Sequence, residues 1–345
     1  MELFTKLKLL TDPNGASGDE FSASEAAAEL LRRYTDNVEI DAFGDVIGLI
    51  PCGDENAPTL MLDAHLDQIG FLVTEITKDG FLRFVMVGGV DGRMLPGSEL
   101  CVITRRHGVI RGIVGAVPPH LQKGAGKQTD AISMDDMTVD IGMTGEQARS
   151  VVSIGDYMCF SGSAMALQHD FVTSRSLDDR ACFLCILHAL ELLKDKKLPV
   201  NLLICGSTKE ELGGNGAQYV AERFKPEYAI AVDVTHAKTA DAQDVRGELA
   251  KGPDVSIGFN SRPDFAEKVI ETAKKHNIPY QTAACPGRSG TNAWSIQPAG
   301  VKTLVLSLPL KYMHSPVEVL RLCDVENTGA LLAAVISELD WRADK

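Results

Sequence analysis

Four apolar runs in this chain end in residues that can bind a metal ion or carry a proton. TLMLDAHLD ends in His65 and Asp67, and NLLICGSTKEE in Glu210 and Glu211. AIAVDVTH delivers Asp233 and His236, and TLVLSLPLKYMH delivers His314. A fifth segment, SRSLDDRACF, sets Asp178 and Asp179 just ahead of a helical pattern. Two imidazoles and three carboxylates suffice to hold two zinc-like ions about 3.5–4 Å apart, with one carboxylate spanning both. A spare carboxylate beside such a pair can take a proton from an attacking water. Each residue also has a plain explanation. Asp178 or Asp179 could cap a helix, the two glutamates could form a solvated edge, Asp233 could sit in a turn, and a lone histidine could be a satisfied polar residue. Convergence on one end of one sheet favours the chemical reading over five unrelated plain ones.

The elements that would position these residues are legible in the apolar pattern. VEIDAF, VIGLIP, TLMLDAH, NLLICGS, YAIAVDV and TLVLSLP read as strands, several of them continuous and so buried on both faces. Helical spacing marks residues 3–10, 24–34, 179–193, 216–223, 264–276 and 325–339. The alternation predicts an α/β fold with a mixed, mostly parallel sheet and helices on both faces. In such sheets ligands bind beyond the carboxyl ends of the strands. Residues 71–164 read differently. FLVTEIT-KDG-FLRFVMV signals a hairpin, and SELCVITRRHG and VIRGIVGAV continue it with little helix. This stretch is expected to be an inserted β-barrel-like domain that interrupts a discontinuous α/β domain of residues 1–70 and 165–345. The polar run LQKGAGKQTD, residues 121–130, reads as a loop within it.

Composition narrows the partners. Among 345 residues the net charge is −13, which argues against nucleic acid or an anionic membrane as the main partner. No apolar run approaches the roughly 20 residues of a membrane span, and the N-terminus lacks the pattern of a signal peptide. The eight cysteines are scattered in apolar runs, as buried thiols of a reducing cytoplasm would be. Cys182 and Cys185 form a CxxC, but it lies inside the apolar helical stretch RACFLCILHALELL, where packing is the expected role.

AHLDQIGFLV resembles the AHxDEIG motif of metallopeptidase family forty-two, cytoplasmic dinuclear metallo-aminopeptidases. That family includes tetrahedral aminopeptidase, glutamyl aminopeptidase and endoglucanase M-like proteins. PNGASGDEF, VGGVDGR, MTVDIG, SLDDR, KEELGGNGA, AVDVTHA, SGTNAW and LKYMHSPVE follow the family's other motifs in the same order across almost the whole chain. The resemblance implies a zinc-exopeptidase-like α/β domain and hydrolysis of N-terminal residues from short peptides. It implies two divalent ions per subunit, zinc first, with cobalt or manganese as alternatives. Asp178 would bridge them, His65 and Asp233 would complete one site, and Glu211 and His314 the other. Glu210 would be the general base, and Asp67 would orient His65. The Asp178–Asp179 peptide would be cis, and His236 would have no ligand role. The inserted domain would make dimers, six of which form a tetrahedral dodecamer, and the loop at residues 121–130 could reach a neighbouring active site.

Three positions depart from the family pattern. Gln68 stands for its usual Glu, Asn292 for its Asp and Lys311 for its Arg, so substrate contacts are where differences are expected. Lys311 and Arg288 could favour an acidic N-terminal residue. Two other functions compete: a glycoside hydrolase of endoglucanase type, and a non-catalytic assembly protein that keeps the metals for structure.

Overall fold

The computed structural model describes residues 1–116, 133–245 and 247–342. The loop expected at residues 121–130 lies outside them. An eight-stranded sheet runs from edge to edge as Val38–Ile40, Val46–Ile50, Asn201–Ser207, Thr59–His65, Tyr228–His236, Lys302–Leu310, Asp254–Gly258 and Gln281–Cys285. The four central strands pair in parallel. Antiparallel pairs attach Val46–Ile50 on one side and Asp254–Gly258 on the other. The sheet is therefore mixed with a parallel centre, as the continuous apolar runs predicted. The same runs put the carboxyl ends of all four central strands on one edge.

Helices cover both faces. On one, Leu3–Thr11, Phe21–Leu31, Leu177–Leu193, Pro263–His276 and Leu322–Glu338 share a single apolar core with the sheet. On the other, Asn215–Phe224 and Ala293–Ile296 pack against Ile47, Met61, Leu203 and Ala229. The helix Leu177–Leu193 is buried on almost every side, and Cys182 and Cys185 are free thiols fully inside it. Their CxxC spacing thus serves packing.

Between Gly70 and Phe160 six strands close into a barrel, in the order Gly70–Ile76, Leu82–Val87, Val139–Asp140, Gly108–Val114, Glu99–Thr104 and Tyr157–Phe160. All its pairs are antiparallel. Phe71 anchors its interior, meeting Phe84 and Phe160 edge to face at 5.3 and 5.4 Å. A short helix, Gly145–Val151, opens on a capping box between Thr144 and Gln147, a signal the sequence reading passed over.

A third, three-stranded sheet was not expected. It pairs Met165–Ala166, Phe171–Ser174 and Glu318–Arg321. Its register sets Ser174 against Glu318, so it ties the segment entering Asp178 to the segment leaving His314.

Candidate metal centre

The candidate residues sit at or near the ends of strands and at irregular backbone. His65 closes its strand, and Asp233 lies near the end of the next one. Register pairs Ala231 with Asp63, and two residues further along this register His65 comes beside Asp233. Ser176 and His314 adopt left-handed backbone, with φ of 56° and 62°. Asp178 and Asp179 have non-helical angles at the head of their helix, and the peptide between them is cis. Such irregular backbone lets neighbouring side chains aim at different targets.

Glu210 and Glu211 show how. Lys209, with φ of 60°, ends the strand extension, and a turn follows in which the Gly213 N–H donates to the Glu210 carbonyl at 2.8 Å. Gly214 has φ of 78°, and a Cβ there would stand 2.6 Å from Ser295 Oγ, so only glycine fits. The turn is pinned by Asp67. Its carboxylate accepts the Glu210 N–H at 3.0 Å with one oxygen and the Glu211 N–H at 3.1 Å with the other. The expected role of Asp67, orienting His65, is therefore shared. The His65 Nδ1 lies 3.0 Å from the Asp67 backbone oxygen and 3.5 Å from its carboxylate.

The side chains converge on Asp178. One of its oxygens lies 3.1 Å from His65 Nε2, and the other 3.3 Å from His314 Nε2. Two groups of donor atoms form around it, each spanning no more than 4.8 Å. One is His65, Asp178 and Asp233, and the other Asp178, Glu211 and His314. Glu210 falls in neither group, although its Oε2 is 3.9 Å from His65 Nε2. His236 also falls in neither and is exposed along the cleft.

Charge is crowded here. Burial pushes the Glu211 carboxyl up to about 8 and that of Glu210 up to about 7, with the Asp178 charge adding to both. Burial also raises Asp233 well above the carboxylate range. Asp178 goes the other way. Burial opposes its charge, but hydrogen bonds from His314 and His65 outweigh burial and hold it low. Its hydrogen bond in turn lifts His314 to about 9. Acidic groups this close repel one another unless cations join them.

The donor set fits two divalent ions. The Nδ1 of His65 faces a backbone carbonyl, and so does that of His314, 2.9 Å from the Gly89 oxygen. A proton on each Nδ1 leaves each Nε2 free as a ligand. Asp178 then offers one oxygen toward each histidine, as a carboxylate shared by two ions would.

Several contributors escaped the sequence reading. Buried Glu318 accepts the backbone N–H of Asp178 at 3.1 Å and of His314 at 3.0 Å, joining both sides of the site. Gly88 and Gly89 bring the barrel to the centre. A Cβ on Gly89 would stand 2.8 Å from His314 Nδ1, and one on Gly88 would stand 3.0 Å from Glu211 Oε2. Two glycines in a row within VGGVDGR were the available signal. Asp45 accepts the Thr208 N–H at 2.7 Å and so fixes the strand end before Glu210.

The three departures lie elsewhere. Asn292 is buried and donates to Asp63 at 2.9 Å and to Ser207 at 2.8 Å. An aspartate there would confront Asp63 charge to charge. Gln68 is buried beside Arg175. Neither of them lines the cleft at the centre, nor does Lys311, whereas Arg288 does.

Residues 44–331 match a family model described as M42 glutamyl aminopeptidase. A lysyl aminopeptidase of Pyrococcus furiosus is 35% identical over 338 residues, covering 96% of each chain. An aminopeptidase structure from the archaeon Desulfurococcus kamchatkensis superposes with a TM-score of 0.89 at 30% identity, covering 98% of this chain and 96% of that one. The TET1 peptidase of Pyrococcus horikoshii, which can assemble into a tetrahedron or a large octahedral shell, gives a TM-score of 0.87. It is 34% identical, with 98% and 100% coverage.

Proposed function

Because the chain belongs to the M42 glutamyl aminopeptidase family, we propose that it removes N-terminal residues from short peptides with two divalent ions, zinc by preference. It is a metal-dependent aminopeptidase. The finer assignments are these. Asp178 would be shared between the ions, His65 and Asp233 would hold one, and Glu211 and His314 would hold the other. The observation that carries this reading is the pair of Asp178 oxygens, each facing a different imidazole.

When bound, the ions supply Lewis acidity, polarising the scissile carbonyl and making water acidic enough to attack near neutral pH. The chain does the rest. Glu210 takes the proton of the attacking water and returns it to the leaving amine. Asp67 keeps Glu210 and Glu211 at fixed separate aims through their backbone N–H groups. Glu318 holds Asp178 and His314 in relation to each other.

The glycosidase alternative needs two carboxyls flanking a sugar bond about 5–9.5 Å apart and no metal. Here the acids are gathered with histidines instead. A purely structural metal role leaves Glu210 unexplained, since closed structural sites have no adjacent spare base. The reading further includes a cytoplasmic location and dimers, made through the barrel, that build a dodecamer. No described helix is long and apolar enough to cross a membrane.

A panel of aminoacyl fluorogenic substrates tests the function, run untreated, after chelation and after return of zinc, cobalt or manganese. Activity should vanish on chelation and return with metal. Chelator-resistant cleavage of cellulose, without peptide cleavage, would replace the reading with the glycosidase one.

A further inference from the structure

The cleft that opens on the metal centre continues along the sheet past Ser307 to Asp254 and Ser256, with a volume of about 510 Å³. The register explains its floor. Asp233 pairs with Ser307, and Ser307 with Asp254, so the three stand in a row on one face. Val255 points the other way, into the main core. Neighbouring strands lie about 4.8 Å apart, so the backbone of Asp254 stands about 10 Å from that of Asp233.

Asp254 is only 4% exposed. The Ala283 backbone N–H donates to its carboxyl, yet Oδ1 has no hydrogen-bond partner. Leaving a buried carboxylate oxygen unmatched is costly, and a cation brought in by a ligand would remove that cost. Outside the metal centre the cleft is also lined by Arg288 and His236, both exposed. Arg288 is also turned to a ring, its guanidinium 5.0 Å from the centroid of Trp294.

We infer that Asp254 reads the side chain of the substrate's N-terminal residue and selects lysine or arginine. The inference rests on the aminopeptidase reading above. A lysine ammonium stands about 6 Å beyond its Cα on a flexible stem. With that Cα held beside Asp233, the stem crosses Ser307 and the ammonium meets Asp254. An uncharged side chain leaves the carboxylate unmatched, and an acidic one meets like charge.

The test compares lysyl, norleucyl, leucyl and glutamyl fluorogenic amides on the metal-loaded enzyme, because norleucine keeps the stem and lacks the ammonium. Lysyl amide should exceed norleucyl amide in kcat/KM by about tenfold or more, a charge-assisted hydrogen bond's worth of discrimination. Asp254→Asn should erase that difference. Calorimetry adds a readout free of turnover. L-lysine should bind the loaded wild-type enzyme more tightly than L-norleucine, and Asp254→Asn should level the two. Norleucyl or glutamyl amide cleaved as well as lysyl amide by the wild type overturns the inference and leaves the aminopeptidase reading intact. No cleavage of any of the four overturns both. The wild-type comparison stands whether or not the variant folds.

Discussion

At the residue scale, the metal-binding candidates were legible because four apolar runs and one helix start deliver them together. Each alone has a plain structural explanation, and only their convergence favoured a site. Their partners were not legible, because hydrogen bonds between distant segments leave no local pattern. Asp67 is the clearest example. The family resemblance implied that Asp67 orients His65, while the Asp67 carboxylate also accepts the N–H groups of Glu210 and Glu211. Asp67→Ala should therefore lower metal affinity and kcat by about 10–100-fold while the fold persists. Metal titration and steady-state kinetics check this, and unchanged values would detach Asp67 from the centre. Asp45 carries a pH signature. Burial raises its carboxyl to about 7, so the folded state favours the neutral acid. Its destabilising charge is absent below pH 4, grows as pH rises to 7 and is constant above, with an upper bound on the order of 4 kcal/mol. In Asp45→Asn, urea unfolding at pH 5 and pH 8 should differ less than in the wild type. An unchanged difference would mean that Asp45 is ionised throughout.

At the element scale, the central strands were read correctly because burial on both faces makes them continuously apolar. The last two strands on one side of the sheet, Asp254–Gly258 and the edge strand Gln281–Cys285, were missed. QTAAC alternates half-buried and exposed positions and has no large apolar residue. The small sheet joining Phe171–Ser174 to Glu318–Arg321 was missed as well, since nothing local announces a pairing across so much chain. Yet these elements matter to the site. One supplies Asp254 and another Glu318. The barrel contributes through Gly89, whose backbone oxygen faces His314 Nδ1 at 2.9 Å. Gly89→Ala would put a methyl group 2.8 Å from that nitrogen. It should displace His314 and weaken one metal site, leaving the site of His65 and Asp233 loaded. Metal analysis should then find fewer than two ions per chain. Full loading with normal turnover would mean that the loop yields instead.

At the scale of the whole molecule, the α/β frame and the β-rich insertion were legible from where the apolar period changes. How copies of the chain meet was not, since an interface between copies leaves no period in one sequence. The proposed assembly makes a size prediction. Light scattering after size exclusion should report twelve chain masses for the wild type, and monomers when reversal of barrel-surface charges breaks the dimer contact. A monomer at micromolar concentration would remove the assembly from the account without touching the chemistry. The proposed chemistry rests on a division between adjacent glutamates, in which Glu211 would hold a metal and Glu210 would stay free beside it. The most direct test is kcat of Glu210→Gln at verified metal loading. The account predicts two ions per chain and a fall of at least about 100-fold. Near-normal turnover at full loading would contradict it.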